Sequence, residues 1–557
     1  MKQPGGEDMH VAKFGGEWQP RELRGALLVG VAAILIAGSA VSQPVAPEAR
    51  LALAVDPTTT ALADAARDGN RNAIRELLPG TEDIDAPGSD GTPALHWLVE
   101  RNELDLARQA LEAGAEPNRA SRYGVRPLYL AATNGNAEMI RLLVSAGADP
   151  NAPDAVGETM LMAAVGSGNL AAVTTLLELG AVVDGREPHF EQTALMFAAR
   201  EGFADIAHAL IEAGAEVDAR TRVDEEPDWI LPNSRPGFSF GIGIIRGGLP
   251  ADRGMRPFQH GGMTPLLYAA RNGNRAVAEL LLDAGADING TEANSIAPLL
   301  MAISNNQMEL AAVLVERGAD LDAQDWYGRS PLWSAVNVRN LYVDNNTFKN
   351  DIDRAPVLDV IRLLLDRGAD PNPRTKESPP VREHLLSGTG TLEWVDLTGQ
   401  TPFLTAALAG DVTVMRLLLE HGADPHIATY HGTTPLMAAA GIDWVVSQSY
   451  TEGPEALLEA VKLCVELGID VNAVNSMGLA AIHGAANRGS DDIIEYLVSQ
   501  GARLDIADNE GRTPLDWAHG VFLATHPAEP KPSSIALIER LQASSAQAGG
   551  AQAGGAP

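Results

Sequence analysis

The chain carries one cysteine, Cys464, in 557 residues, which excludes an intramolecular disulfide, a C-x-x-C redox pair and a C-x-x-C-H haem attachment. Aromatic residues are scarce at 5%, although 45% of the chain is hydrophobic. A core built mostly from Ala, Leu, Val and Ile suits closely packed helices better than a β-sandwich. Positive charge is also short: 73 acids face 41 bases, for a net charge of −32. Such a field repels phosphate backbones, so no nucleic-acid partner is expected. Only 6 of the bases are lysines, leaving most positive charge on guanidinium forks. No H-E-x-x-H or D-x-D-x-D-G pattern occurs, and the single G-x-S-x-G, Gly237-Phe238-Ser239-Phe240-Gly241, has no strand–helix unit around it, so the chain reads as a non-enzyme with no catalytic residue, cofactor or metal. Gly 55 and Pro 35 are too few for collagen or a low-complexity chain. By length alone, three or four globular domains would be ordinary.

Long hydrophobic runs are lacking, with one exception. Residues 25–41 (GALLVGVAAILIAGSAV) hold no charge and come after Arg21 and Arg24. The strongly apolar centre, Ala26 to Ala37, has the size of a signal-peptide core and is marginal for a spanning helix of about 20 residues. Ala40-Val41-Ser42 offers a small-residue cleavage site, and Pro44 and Pro47 stop helix continuation. Residues 1–42 therefore read as a signal peptide or an uncleaved signal anchor, and 43–58 as a linker. Both readings export the rest of the chain to the periplasm or beyond, with any membrane attachment through 25–41.

Self-similarity replaces the separate domains. Gly91-Thr92-Pro93-Ala94-Leu95-His96 returns as Gly262-Met263-Thr264-Pro265-Leu266, Gly399-Gln400-Thr401-Pro402-Phe403, Gly432-Thr433-Thr434-Pro435-Leu436 and Gly511-Arg512-Thr513-Pro514-Leu515. Weaker copies lie between, and each is followed by a segment such as LLVSAGADPN (142–151) or LLLDAGADIN (280–289). Seven of the ten intervals between proline positions are 33 or 34 residues. Thr before Pro predicts a hydroxyl N-cap with proline in the first turn. Gly-Asn or Gly-Asp, as at Gly135-Asn136 and Gly410-Asp411, predicts a left-handed break, and a second helix comes next with apolar residues three and four apart.

This pattern resembles the ankyrin repeat family, with its 33-residue period and T-P-L-H-x-A signature. The resemblance spans about Thr59 to Gln542. It implies an all-α solenoid of about twelve helix-turn-helix units with β-hairpin-like fingers, and a protein partner. It also implies that His96 and His483, at the T-P-L-H position, tie adjacent turns together by hydrogen bonds. Repeats 1–5 occupy 59–219, repeats 6–8 occupy 262–372, and repeats 9–12 occupy 398–542; 543–557 reads as a disordered tail.

Insertions interrupt the period at 220–261, 339–356, 373–397 and 442–455. The first is at +1 in a chain at −32. Insertions in a solenoid sit on its surface, and Trp, Tyr, Phe and Arg are the residue types enriched at binding hot spots. The candidate partner-binding residues are therefore Trp229, Phe238, Phe240, Arg246, Phe258, Trp394, Trp444 and Tyr450. Loops folded back over the solenoid are the plainer alternative. His421, His426 and His431 recur at five-residue spacings, which suit neither one helix face nor one strand face. Cys464 lies on an apolar stripe, as a buried inert thiol would. Asp and Asn at the Ala-Asp-Pro-Asn positions read as solvated turn residues.

The sequence thus points to an exported, monomeric, non-enzymatic scaffold binding a protein partner through a concave face and its insertions. The alternatives are an accessory factor supporting or restraining an exported enzyme, and a secreted effector acting on a host protein.

Overall fold

The computed structural model of the protein describes residues 57–223, 260–340, 354–376, 398–443, 452–521 and 528–553. Within them the chain folds into twelve successive helix pairs. The first helices of the pairs are α1 (Pro57–Arg67), α3 (Ala94–Glu100), α5 (Pro127–Thr133), α7 (Met160–Gly166), α9 (Ala194–Glu201), α11 (Pro265–Asn272), α13 (Pro298–Ser304), α15 (Pro331–Arg339), α17 (Pro402–Ala409), α19 (Pro435–Ala440), α21 (Ala481–Arg488) and α23 (Pro514–Ala518). Their partners are α2 (Arg71–Leu77), α4 (Leu104–Glu112), α6 (Ala137–Ser145), α8 (Leu170–Glu178), α10 (Ala204–Glu212), α12 (Arg275–Asp283), α14 (Met308–Glu316), α16 (Arg354–Asp366), α18 (Val412–Glu420), α20 (Pro454–Glu466), α22 (Asp491–Ser499) and α24 (Pro532–Ala553). No strand occurs among the described residues.

Local chemistry sets the helix starts. Ser330 and Thr401 accept the Trp333 and Leu404 N–H groups from their N-cap positions, with Pro331 and Pro402 next in line. The first full copy departs from this scheme. There Pro93 itself is the N-cap of α3, and the Thr92 N–H is taken by Asp90 at 2.9 Å. Its helix starts one position after the proline, which accounts for a first interval of 34 rather than 33 residues. Between paired helices, Gly410 adopts φ +73° and Asp411 caps α18 by accepting the Val414 N–H.

Each first helix packs against the next first helix and against its own partner, giving one core that runs from Leu62 to Ile538. Small residues permit this close stacking: Ala131, Ala132, Ala198, Ala199, Ala269 and Ala270 are fully buried at equivalent places. The stack also closes across the interruptions, since α9 packs on α11, α15 on α17 and α19 on α21. The insertions are therefore side excursions from one solenoid. At the far end α24 runs on to Ala553, into the stretch that composition reads as a tail. Alanine and glutamine there favour helix strongly enough to carry it past Gly549 and Gly550.

Candidate functional site

The fingers are tied by a ladder of side-chain amides and carboxylates. Asn118 donates to Gly147 O at 2.7 Å and accepts the Asp149 N–H at 2.9 Å. Asn151 and Asn372 repeat both bonds toward the next repeat, while Asp184, Asp218 and Asp322 keep only the accepting one. Periodicity reads these residues as solvated turn positions. Their spacing to the next finger gives them a second task, because each satisfies a backbone N–H a whole repeat away. His426 holds the same position, and no such bond joins it to Asp470 among the described contacts.

Two insertions leave from finger tips. The finger hairpin closes by Thr221 N–H to Met263 O at 3.0 Å and Gly262 N–H to Thr221 O at 3.2 Å, so the chain leaves the stack after Val223 and rejoins it at His260. The finger interrupted between Lys376 and Thr398 closes the same way, by Thr375 N–H to Gln400 O at 3.1 Å. The other two leave from the opposite edge, where paired helices turn. Their feet meet at one buried carboxylate. Asp411, 3% exposed, takes Arg339 Nε at 2.8 Å and Arg354 Nη2 at 3.3 Å, and Arg354 also pairs with Glu452. Arg354 comes after the excursion at 341–353 and Glu452 after that at 444–451, so residues 98 apart in sequence share one ion network.

The face formed by first helices and fingers carries a cleft of about 500 Å³ spanning repeats 5 to 7. Phe190, Arg200, Arg222, Tyr268, Arg271 and Met301 are among its walls. Two arginines lie over their own aromatic neighbours: Arg200 Cζ stands 4.6 Å from the Phe197 ring centre and Arg271 Cζ 5.3 Å from that of Tyr268. Gln192 donates to the Tyr268 hydroxyl at 2.6 Å and fixes its ring. The nearby acids are spent on the turns. Glu187 accepts the His189, Phe190 and Gln192 N–H groups. Glu292 accepts those of Asn294 and Ile296, and burial raises its carboxyl above the usual range. Arg200 pairs with Glu201 at 2.9 Å, whereas no described carboxylate lies within ion-pair reach of Arg222 or Arg271. The signal for this site is the duplicated Phe197-Ala198-Ala199-Arg200 and Tyr268-Ala269-Ala270-Arg271, which keep the repeat register and so read from sequence as ordinary repeat residues.

The finger tips beside the cleft are apolar. Tyr123, Val156, Phe190 and Val223 occupy equivalent positions on successive fingers and are 62%, 61%, 59% and 43% exposed. Trp229, Phe238, Phe240, Arg246 and Phe258 fall in 224–259, Trp394 in 377–397, and Trp444 and Tyr450 in 444–451, all outside the described residues. The run at 25–41 also lies outside them; among the described residues no helix is long and apolar enough to cross a membrane.

The remaining titratable candidates are built into the scaffold. His96 is buried and its Nε2 lies 2.9 Å from Val125 O in the next finger, the tie that the repeat resemblance implies. His483 instead turns its Nδ1 back to accept the Ala480 N–H at 3.0 Å. Desolvation lowers both imidazoles below their ordinary range. A base depressed in the fold is neutral there while its unfolded form takes a proton, so stability is complete above about pH 6.5 and falls as pH drops through that value. Urea midpoints are expected to be lower at pH 5 than at pH 7, with a smaller difference in His96→Gln; an unchanged difference would remove His96 from the account.

His421 bridges outer helices, with Nδ1 2.9 Å from Leu417 O and Nε2 3.2 Å from Asp366. Among the described residues no group of three or more His, Cys, Asp or Glu side chains is placed to hold a metal ion. Cys464 is fully buried and its thiol is pushed up to about 12 by desolvation. Aromatic disulfide reagents are expected to leave it unlabelled in the native protein at neutral pH and to label it fully in guanidinium. Fast native labelling would show that its helix opens readily.

Family models for ankyrin repeats match residues 62–154, 128–221, 261–292, 296–326, 398–430 and 454–521, more than half of the chain. Notch homolog protein 1 of Mus musculus is 31% identical over 167 residues, covering 26% of this chain and 7% of that protein. Alpha-latrocrustotoxin-Lt1a of Latrodectus tredecimguttatus is 30% identical over 146 residues, covering 26% of this chain and 9% of the toxin. The chain thus spans less than a tenth of the length of these relatives. The unbroken stack of helix pairs, the finger ladder and the matched repeats together make this chain a member of the ankyrin repeat family.

Proposed function

We propose that the chain is an exported, non-enzymatic scaffold that seats a protein partner in its concave face, centred on the cleft of repeats 5 to 7. The observation that carries this reading is the pairing of Phe197-Arg200 with Tyr268-Arg271 on adjacent first helices, with one wall of open finger tips. Ring-stacked guanidiniums are pre-ordered and combine apolar area with charge, the properties of binding hot spots. The chain leaves the stack for residues 224–259 from this finger edge, between Val223 and His260. Export rests on the leader at 25–41 and its small-residue site before Gln43.

A photo-crosslinking residue placed at Phe197, and another at outer-helix Arg141, test the seat in living cells. Crosslinks to a defined protein are expected from Phe197 and not from Arg141. Equal yields from both faces, or none from the concave one, would overturn the proposal. Mass spectrometry of the mature amino terminus is expected to find Gln43 first or an intact anchor in the membrane fraction.

A further inference from the structure

The net charge of −32 suggests basic partners, yet the described lining of the cleft sets three arginines against one glutamate. Arg200, Arg222 and Arg271 open on one cavity. The acids beside it, Glu187 and Glu292, have their oxygens directed at backbone N–H groups of their own turns. Among the described residues the acids that act on these arginines, Glu201 and Glu158, both fall on Arg200. We infer that this cleft recognises a short acidic peptide segment of a partner protein, with carboxylates between the arginines and apolar side chains laid along the finger tips. The inference rests on the scaffold reading and specifies the chemistry of the bound segment.

Three features of the surface support that chemistry. A guanidinium offers two parallel N–H groups that match one carboxylate, and three of them converge here. Stacking on Phe197 and Tyr268 limits how much side-chain entropy Arg200 and Arg271 lose on binding. Beyond the cleft, Phe190 belongs both to its wall and to the exposed row Tyr123, Val156, Phe190 and Val223. Successive fingers advance by about one helix spacing, ~10 Å, and a peptide extended as polyproline II advances ~3.1 Å per residue with three residues per turn, so every third side chain shares one face. A peptide running along the row therefore meets a new finger tip every third residue. The ligand is an extended segment with an acidic end and an apolar residue at every third position.

The chain's strong negative field outside the cleft selects against long polyanions and in favour of a short acidic cluster. Nucleic acid is the competing class, and the experiment includes it.

The test uses the mature protein and a fluorescein-labelled dodecapeptide with Glu-Glu at one end and Leu at every third position beyond it, together with the sequence-reversed peptide. Anisotropy is expected to show saturable binding of one of the two, weakening as salt rises. Replacing Glu-Glu by Gln-Gln, or introducing R200E/R271E, is expected to reduce affinity at least tenfold. Both arginines are solvent-facing, and circular dichroism is expected to be unchanged in the double variant. R200K/R271K, which keeps charge without the fork, should recover only part of the loss. Failure of both peptides to bind the wild-type protein, equal binding of the Gln-Gln form, or tighter binding of single-stranded DNA each overturns the inference. If crosslinks from Phe197 persist while no acidic peptide binds, the scaffold reading stands and the acidic ligand falls. If the crosslinks are absent as well, both fall.

Discussion

Asp411→Ala is expected to destabilise the middle of the solenoid by about 3–5 kcal/mol, because it leaves buried guanidinium charge without a counter-ion. Asp411 is 3% exposed and Arg339 10%, so neither group regains water when its partner is removed. The carboxylate also caps α18 through the Val414 N–H, and losing that cap adds about 1 kcal/mol. Arg354 and Glu452 remain paired at the rim, where solvent screens them, and replace little of the lost interaction. The effect should be regional, since repeats contact only their neighbours. Hydrogen exchange read by mass spectrometry is expected to show faster opening of α15 to α19, with α3 to α7 unchanged. Asp411→Asn keeps the cap acceptor and loses the charge, so its exchange should fall between those of wild type and alanine. Wild-type exchange in the alanine variant would show that the network at the two insertion feet contributes nothing.

Gly261→Ala is the second substitution with a large expected cost. Gly261 has φ +113°, a conformation that L side chains rarely adopt. An added Cβ would fall 1.9 Å from Arg222 O and 2.7 Å from the Val223 Cα, both on the opposite limb of the same finger. Backbone cannot swing aside as a side chain can. Strain of about 1–3 kcal/mol joins a similar overpacking cost, and the finger limbs must separate. Since Arg222 and Gly261 both line the cleft, this change alters the site without touching either stacked arginine. Exchange protection of residues 219–223 and 260–264 is expected to fall, and affinity for the acidic dodecapeptide to drop several-fold. Unchanged protection would mean that the limbs yield more easily than their geometry indicates. Gly80, by contrast, has nothing within 4 Å of an added Cβ and serves as a neutral control.

Much of the architecture is legible without coordinates because it is written in short-range chemistry. The period, the Thr or Ser before Pro331 and Pro402, and the Gly-Asp break at Gly410 each act within a few residues. Helix pairing results from them, since no single unit buries both of its faces. Where this local code is blurred, as at Thr92-Pro93, the reading slips by one residue.

The site was less legible, for a different physical reason. Sequence reasoning looked for aromatic and arginine residues in the insertions, where they break the period, and placed its candidates from Trp229 to Tyr450 there. Phe197-Arg200 and Tyr268-Arg271 obey the period and so read as ordinary repeat residues. The sequence by itself determined the repeat, the helix caps, the small-residue core and the acidity of the scaffold, because each is a local or summed property. Only the tertiary structure decided which distant residues meet. Stacking is indifferent to excursion length, so it brings α9 against α11 across 224–259 and gathers Arg339, Arg354, Asp411 and Glu452 at one point. It also turns acids beside the cleft onto backbone N–H groups while its arginines stay open to solvent. A chain that is acidic as a whole thereby carries a basic notch.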